Sequence, residues 1–237
     1  MVDHERVANE SPRPVPVEVK LLDLATRILP SAFFLIVLIQ KLNESYAFIV
    51  SFQASSEAPS WKLLAEIVSR SSTILFLGFL SILFIIRLEP IKKAKGILPR
   101  VFAIAGTFSM SLVTLFPRAD LSFTQTVIAS LLSLVGTGLS LFALAYLGRS
   151  FSVMAEARRL VTSGPYRIVR HPLYVFEGMA TIGILIQFFN FYSVLIYLAH
   201  CLLQFQRMKN EEAVLEGVFP EYQAYRLTTA RVIPRIY

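Results

Sequence analysis

The chain has 237 residues, 55% of them hydrophobic and only 16% charged. That composition, with a mean hydropathy of +0.60, excludes a water-soluble globule, in which about 25% of residues carry charge. It predicts an all-α, polytopic transmembrane protein. The net charge of +7 then belongs to cytoplasmic loops facing anionic lipid, not to a nucleic-acid face, of which the sequence gives no sign.

In chain order, residues 1–20 are polar, proline-rich and without an apolar core segment, and are expected to form a disordered cytoplasmic tail. The first apolar run covers 21–39, with Asp23 and Arg27 at its start and Pro30 within it. Residues 41–61 mix Ser, Glu and Pro and read as an external loop. A second span is predicted at 63–86. It is followed by Arg87, Lys92, Lys93, Lys95 and Arg100, a short basic loop that the positive-inside rule assigns to the cytoplasm. Spans at 97–116 and 124–147 follow, joined by an external turn with Pro117, Arg118 and Asp120. The latter span contains Gly136 and Gly138, small residues suited to close helix contact. Two shorter runs, 172–189 and 191–205, read as a tight hairpin around Asn190. Six spans with both termini cytoplasmic satisfy every loop charge; five, with the first run at the interface, is the alternative. Cys201 reads as a small core residue, and as the single cysteine it excludes an intramolecular disulfide.

Between the long apolar runs stands the stretch from Leu160 to Tyr174, LVTSGPYRIVRHPLY. Gly164 and Pro165 break any helix arriving from the N-terminal side. Pro172 suits the first turn of a new helix with His171 as its N-cap, and such a helix start presents unpaired N–H groups and a positive dipole end to an anion. Arg167, Arg170, His171, Tyr166 and Tyr174 surround it. A second polar cluster follows the last apolar run: Arg207, Glu211 and Glu212, then Phe219, Tyr222, Tyr225 and Arg231. On a helix Arg207 and Glu211 share a face while Glu212 points elsewhere. A hairpin at 172–205 returns this acidic cluster to the membrane face that holds the cationic one, an arrangement suited to a zwitterionic ligand.

Glu177 lies in the first turns of a membrane helix, where acids are costly and usually functional; the competing reading is an acid close enough to the interface to be paired with Arg170 or hydrated. His200, mid-run, reads as a hydrogen-bonded core histidine. Phe188, Phe189, Phe191 and Tyr192 read as an interfacial belt. Histidines at 4, 171 and 200 have no metal-ligand spacing, so no metal site is expected.

Leu147 to Phe151, Leu160 to Tyr166, Arg170-His171-Pro172-Leu173-Tyr174 and Glu211-Glu212 with Phe219, Tyr222 and Tyr225 together resemble the isoprenylcysteine carboxyl methyltransferase family, relatives of the integral-membrane phospholipid methyltransferases. The resemblance covers roughly residues 140–237. It implies a methyltransferase-like region at 148–237 behind N-terminal transmembrane helices at 21–147, and methyl transfer from S-adenosylmethionine to a lipid-like or prenylated acceptor entering from the bilayer. It also implies that Gly164, Tyr166, His171, Tyr174 and Glu211 or Glu212 hold the cofactor, with the C-terminal helix completing the site. Arg170 or Arg207 is then placed to align an acceptor carboxylate, and Glu177 to assist an amine acceptor. The alternatives are a phospholipid or amine N-methyltransferase on the same scaffold, a reductase using NADPH, as in the sterol reductases, and a non-enzymatic membrane protein. A bacterial inner membrane is the expected location.

Overall fold

The computed structural model describes the backbone of residues 17–55 and 61–234. Seven α-helices dominate it, confirming an all-α polytopic protein. The helices are α1 (Val17–Ala54), α2 (Trp61–Ile86), α3 (Leu98–Phe108), α4 (Phe123–Leu147), α5 (Pro172–Gln187), α6 (Phe191–Glu216) and α7 (Tyr222–Thr228). Stretches in α1, α2 and α4, together with α3 and the 3₁₀ turn Ser109–Leu115 that continues it, are long and apolar enough to cross a membrane. α5 has 16 residues, about 24 Å at 1.5 Å per residue, and is short for a hydrocarbon core of about 30 Å. α6 is apolar only over its first half.

The predicted boundaries of the second to fourth spans hold to within two residues at either end. Three readings are corrected. Most of the supposed tail lies outside the described residues, but 17–20 are already helical. The supposed external loop is helical as far as Ala54, because its polar residues satisfy one another locally: Lys41 pairs with Glu44 at 2.7 Å and Ser45 Oγ donates to the Lys41 carbonyl. Arg70, itself paired with Glu66, sits 4.5 Å over the Phe48 ring and ties this extension to α2. Cys201, expected in the core, is exposed on α6.

Packing centres on an aromatic-rich cluster. Phe34 stacks on Phe84 at 5.5 Å, Phe84 meets Phe151 edge-on at 5.4 Å, and Leu77, Leu80, Leu83 and Leu144 fill the space between. Each aromatic pair adds about 0.5–1.5 kcal/mol beyond its burial. α4 and α5 lie side by side over their length. Gly136 makes this possible, since a Cβ there would stand 2.5 Å from the Ala180 nitrogen. Gly138 faces open space and plays no such part. α4 starts with a capping box, Ser122 and Gln125 satisfying each other's backbone N–H. On the side of the basic loop a two-residue ladder pairs β1 (Lys92–Lys93) with β2 (Glu156–Ala157), and Lys92 Nζ donates to the Gly217 carbonyl at the end of α6. This clip draws both loops against the helix that carries the acidic cluster.

Candidate functional site

The turn before α5 forms as its sequence demands. Gly164 adopts φ +59°, open to glycine alone at little cost, and a Cβ there would strike the Tyr146 ring. The short 3₁₀ turn Gly164–Arg167 follows, and α5 begins at Pro172 with His171 as N-cap. The His171 imidazole does not cap the helix. It turns instead toward the neighbouring α6, its Nε2 3.1 Å from Glu212 Oε1 and its Nδ1 3.9 Å from Glu211 Oε2.

The adjacent glutamates have different tasks. Glu212, 4% exposed, takes Arg170 Nε at 3.0 Å, His171 Nε2, and Arg231 through Nε at 3.0 Å and a second nitrogen at 2.6 Å. Arg170 also donates to the carbonyls of Arg226 and Thr229, and the backbone N–H groups of Arg170 and His171 donate to the Ala230 and Arg231 carbonyls. Glu212 is therefore the hub that straps the C-terminal segment over the start of α5. Burial alone would raise its pKa, but hydrogen bonds from His171 and Arg231, with the Arg170 charge, hold it well below the usual carboxylate range. Glu211 faces the other way, lining a cavity and accepting from Tyr174 Oη.

That cavity measures about 540 Å³, within the range of about 300–1,000 Å³ typical of small-molecule sites. Tyr166, Arg170, His171, Tyr174, Glu177, Arg207 and Glu211 all line it, so seven of the nine residues singled out in the sequence converge. Gly164 shapes the turn beside it, and Glu212 stands behind the wall. Arg207, 8% exposed, lies 5.3 Å over the Tyr174 ring and donates to Gln204 Oε1 at 2.7 Å and the Val153 carbonyl at 3.2 Å. Glu177 receives one long contact of 3.5 Å from Gln204. Mid-helix residues of α1 and α2, among them Phe33, Phe76 and Leu77, with Phe108 at the end of α3, give the cavity an apolar side.

Several residues of these walls carry a polar atom that is buried and has no partner among the described residues: Tyr166 Oη, Tyr222 Oη, Ser150 Oγ and Arg207 Nε. Orphaned buried polar atoms cost about 1–3 kcal/mol each, and these four belong to residues that line one cavity. Burial pushes the Tyr166 hydroxyl far above its ordinary pKa, with the charges of Glu211 and Glu177 adding to the effect. Burial likewise raises Tyr222, and Tyr225 to about 12. All three remain donors at neutral pH. Tyr225 spends its proton on the Tyr166 carbonyl at 2.5 Å.

Sequence reasoning missed Tyr222 and Ser150 as cavity residues, and Arg231 as a partner of Glu212. In the sequence Tyr222 stands out as a member of the polar tail and of the family-like motif, and Arg231 as a member of the tail. Their spatial role depends on how that tail folds back, which no local pattern encodes.

Fold and site thus define a helical membrane protein with a cavity that is polar on one side and apolar on the other. A comparison of sequences finds a family likeness in part of the chain: residues 128–217 match the model of the isoprenylcysteine carboxyl methyltransferase (ICMT) family. This bears out the resemblance drawn from the motifs, although the match starts earlier and stops short of Tyr222 and Arg231. Two bacterial proteins are also similar, each 34% identical. One is the nickel-cobalt-cadmium resistance protein NccN of Alcaligenes xylosoxydans xylosoxydans, aligned over 83 residues, 34% of this chain. The other is the cobalt-zinc-cadmium resistance protein CzcN of Cupriavidus metallidurans, aligned over 100 residues, 40% of this chain. The aligned stretches span 38% and 46% of those relatives, less than half of each. Among the described residues no group of three His, Cys, Asp or Glu side chains is arranged to hold a metal ion.

Proposed function

We propose that this protein is an integral-membrane, S-adenosylmethionine-dependent methyltransferase acting on a lipophilic acceptor, with carboxyl O-methylation as the leading reaction. The observation that carries the proposal is the coincidence, at the family-matched stretch and the tail behind it, of a cavity whose lining residues include the Glu211 carboxylate and four side chains with unpartnered buried polar atoms. These groups suit the cofactor: a carboxylate for an ammonium or ribose hydroxyls, and phenolic and serine hydroxyls for its polar edges.

When bound, S-adenosylmethionine supplies an electrophilic methyl group. In this reading Glu211, Tyr166 and Tyr222 hold the polar parts of the cofactor, while His171, Tyr174 and Gly164 shape the wall around it. Arg207 lines the cavity and aligns an acceptor carboxylate with its guanidinium charge. A carboxylate needs no general base, so orientation and exclusion of water carry the rate. Arg170 acts as a positioning residue through Glu212, closing the C-terminal segment over the cavity. The N-terminal helices 21–147 supply the bilayer-facing wall and 148–237 the chemistry. A bacterial inner membrane with both termini cytoplasmic fits the charge distribution.

A second reading, N-methylation of a lipid-like amine, is favoured by Glu177. This acid lines the cavity near Arg207 and is suited to take the proton that an attacking amine must lose. Titration calorimetry of S-adenosylmethionine and S-adenosylhomocysteine against the detergent-purified protein and E211Q tests the core of the proposal. Binding to the parent protein that falls at least tenfold in E211Q supports it. Absence of binding to folded protein refutes it. Label transferred to a base-labile product identifies an ester, and a base-stable product identifies the amine reaction.

A further inference from the structure

α6 carries His200, Gln204, Arg207 and Glu211 at spacings that place them on one face, and all four line the cavity. The stripe starts well inside the apolar half of the helix. His200 is 5% exposed, and its Nδ1 lies 2.9 Å from Ser109 Oγ. Ser109 stands where α3 tightens into a 3₁₀ turn, a device frequent at functional positions of helices. An ionisable side chain within an apolar run is costly and is retained for a use, yet the chemistry proposed above leaves His200 idle. Seven residues at 1.5 Å each separate it from Arg207 by about 10 Å along the axis.

We propose that His200 is a specificity-determining residue, hydrogen-bonding a hydroxyl or carbonyl that an otherwise apolar acceptor carries about 10 Å from its methylated group. The inference rests on the reading that the cavity holds a methyl acceptor, and it narrows that acceptor from a plain hydrocarbon tail to one with a polar group part-way into the bilayer. Apolar side chains such as Phe33 and Phe108 line the same cavity and suit the chain on either side of that group. Sites built to bond a substrate hydroxyl reject the analogue lacking it, because the protein's buried polar group is then left unpaired.

The test uses the full-length protein in lipid nanodiscs and a matched pair of probes, decanoate and ω-hydroxydecanoate, each displacing a fluorescent fatty acid. The parent protein is expected to favour the hydroxylated probe by about tenfold. H200F is expected to erase that preference while keeping S-adenosylmethionine affinity, and H200Q to retain part of it. Equal affinities in the parent protein, failure of both probes to bind, or an equal loss of both in H200F would overturn the proposal. The last result would reduce the His200–Ser109 contact to a staple between α3 and α6. Cofactor binding, measured alongside, separates the two questions: its absence in the parent protein defeats the methyltransferase reading itself.

Discussion

Replacing Glu212 by Gln is expected to loosen the C-terminal segment. The carboxylate is 4% exposed and is shared by Arg170, His171 and Arg231, whose donor atoms lie 2.6 to 3.1 Å away. Glutamine is nearly isosteric but neutral, so two guanidinium groups lose their common counter-charge in a largely dry setting. Breaking a buried ion pair by removing one partner costs about 3–5 kcal/mol. At about 2–4 °C per kcal/mol for a chain of this size, the melting temperature falls by roughly 6–20 °C. The loss is local first, because Glu212 holds residues 226–231 to the start of α5. Hydrogen–deuterium exchange should therefore accelerate over that segment before the membrane helices respond. Both are measured on detergent-solubilised protein by a thermal scan and by mass-resolved exchange. An E212Q protein with unchanged melting temperature and unchanged exchange over 226–231 would refute the assignment of the hub to this carboxylate.

The same hub sets an acid limit. A carboxyl whose folded pKa is depressed contributes stability that is complete above its unfolded pKa of about 4.3 and is lost as the pH falls from there toward the folded value. A melting curve taken through that window should decline in the parent protein and stay flatter in E212Q. The neighbouring E211Q should show the opposite division, a melting temperature within about 2 °C of the parent and weakened cofactor binding by calorimetry. Y166F and Y222F remove orphaned hydroxyls, so the ligand-free protein should keep or gain stability, by up to about 1 kcal/mol, while cofactor affinity falls. A loss of stability with affinity intact would class those hydroxyls as ordinary core groups. G136V inserts a branched side chain against the backbone of Phe176 and Ala180. It should cost about 1–3 kcal/mol or more and, by shifting α5, weaken binding in the same calorimetric assay.

Much of the fold was legible because membrane helices are written in length and apolarity alone. The starts and ends of α2, α4 and α5 follow from composition, and the His171–Pro172 helix start from local turn chemistry. The extension of α1 over 41–54 was hidden by polar residues that pair within the helix, as Lys41 and Glu44 do. The capping box at Ser122 and Gln125 was readable in retrospect. In the site, the spacing of Arg207 and Glu211 revealed their common face, but nothing local told which of two adjacent glutamates looks inward. That choice is made by Arg231 and Arg170, 19 and 42 residues away in sequence from Glu212. The same distance hid Tyr222, whose hydroxyl reaches the cavity wall only through the fold of the tail.

The shortness of α5 has a consequence for the lipid around it. A helix of 16 residues bridges about 24 Å beside neighbours long enough for a full bilayer, so even an upright α5 requires the membrane to thin along this flank. The two helices that carry the cavity's polar wall are thereby coupled to hydrocarbon thickness. Reconstitution in bilayers of progressively longer acyl chains should strain the α5–α6 pair and not the α1–α2 pair. The species of lipid surrounding the protein then becomes a determinant of how readily its cavity is entered, without any lipid occupying the cavity itself.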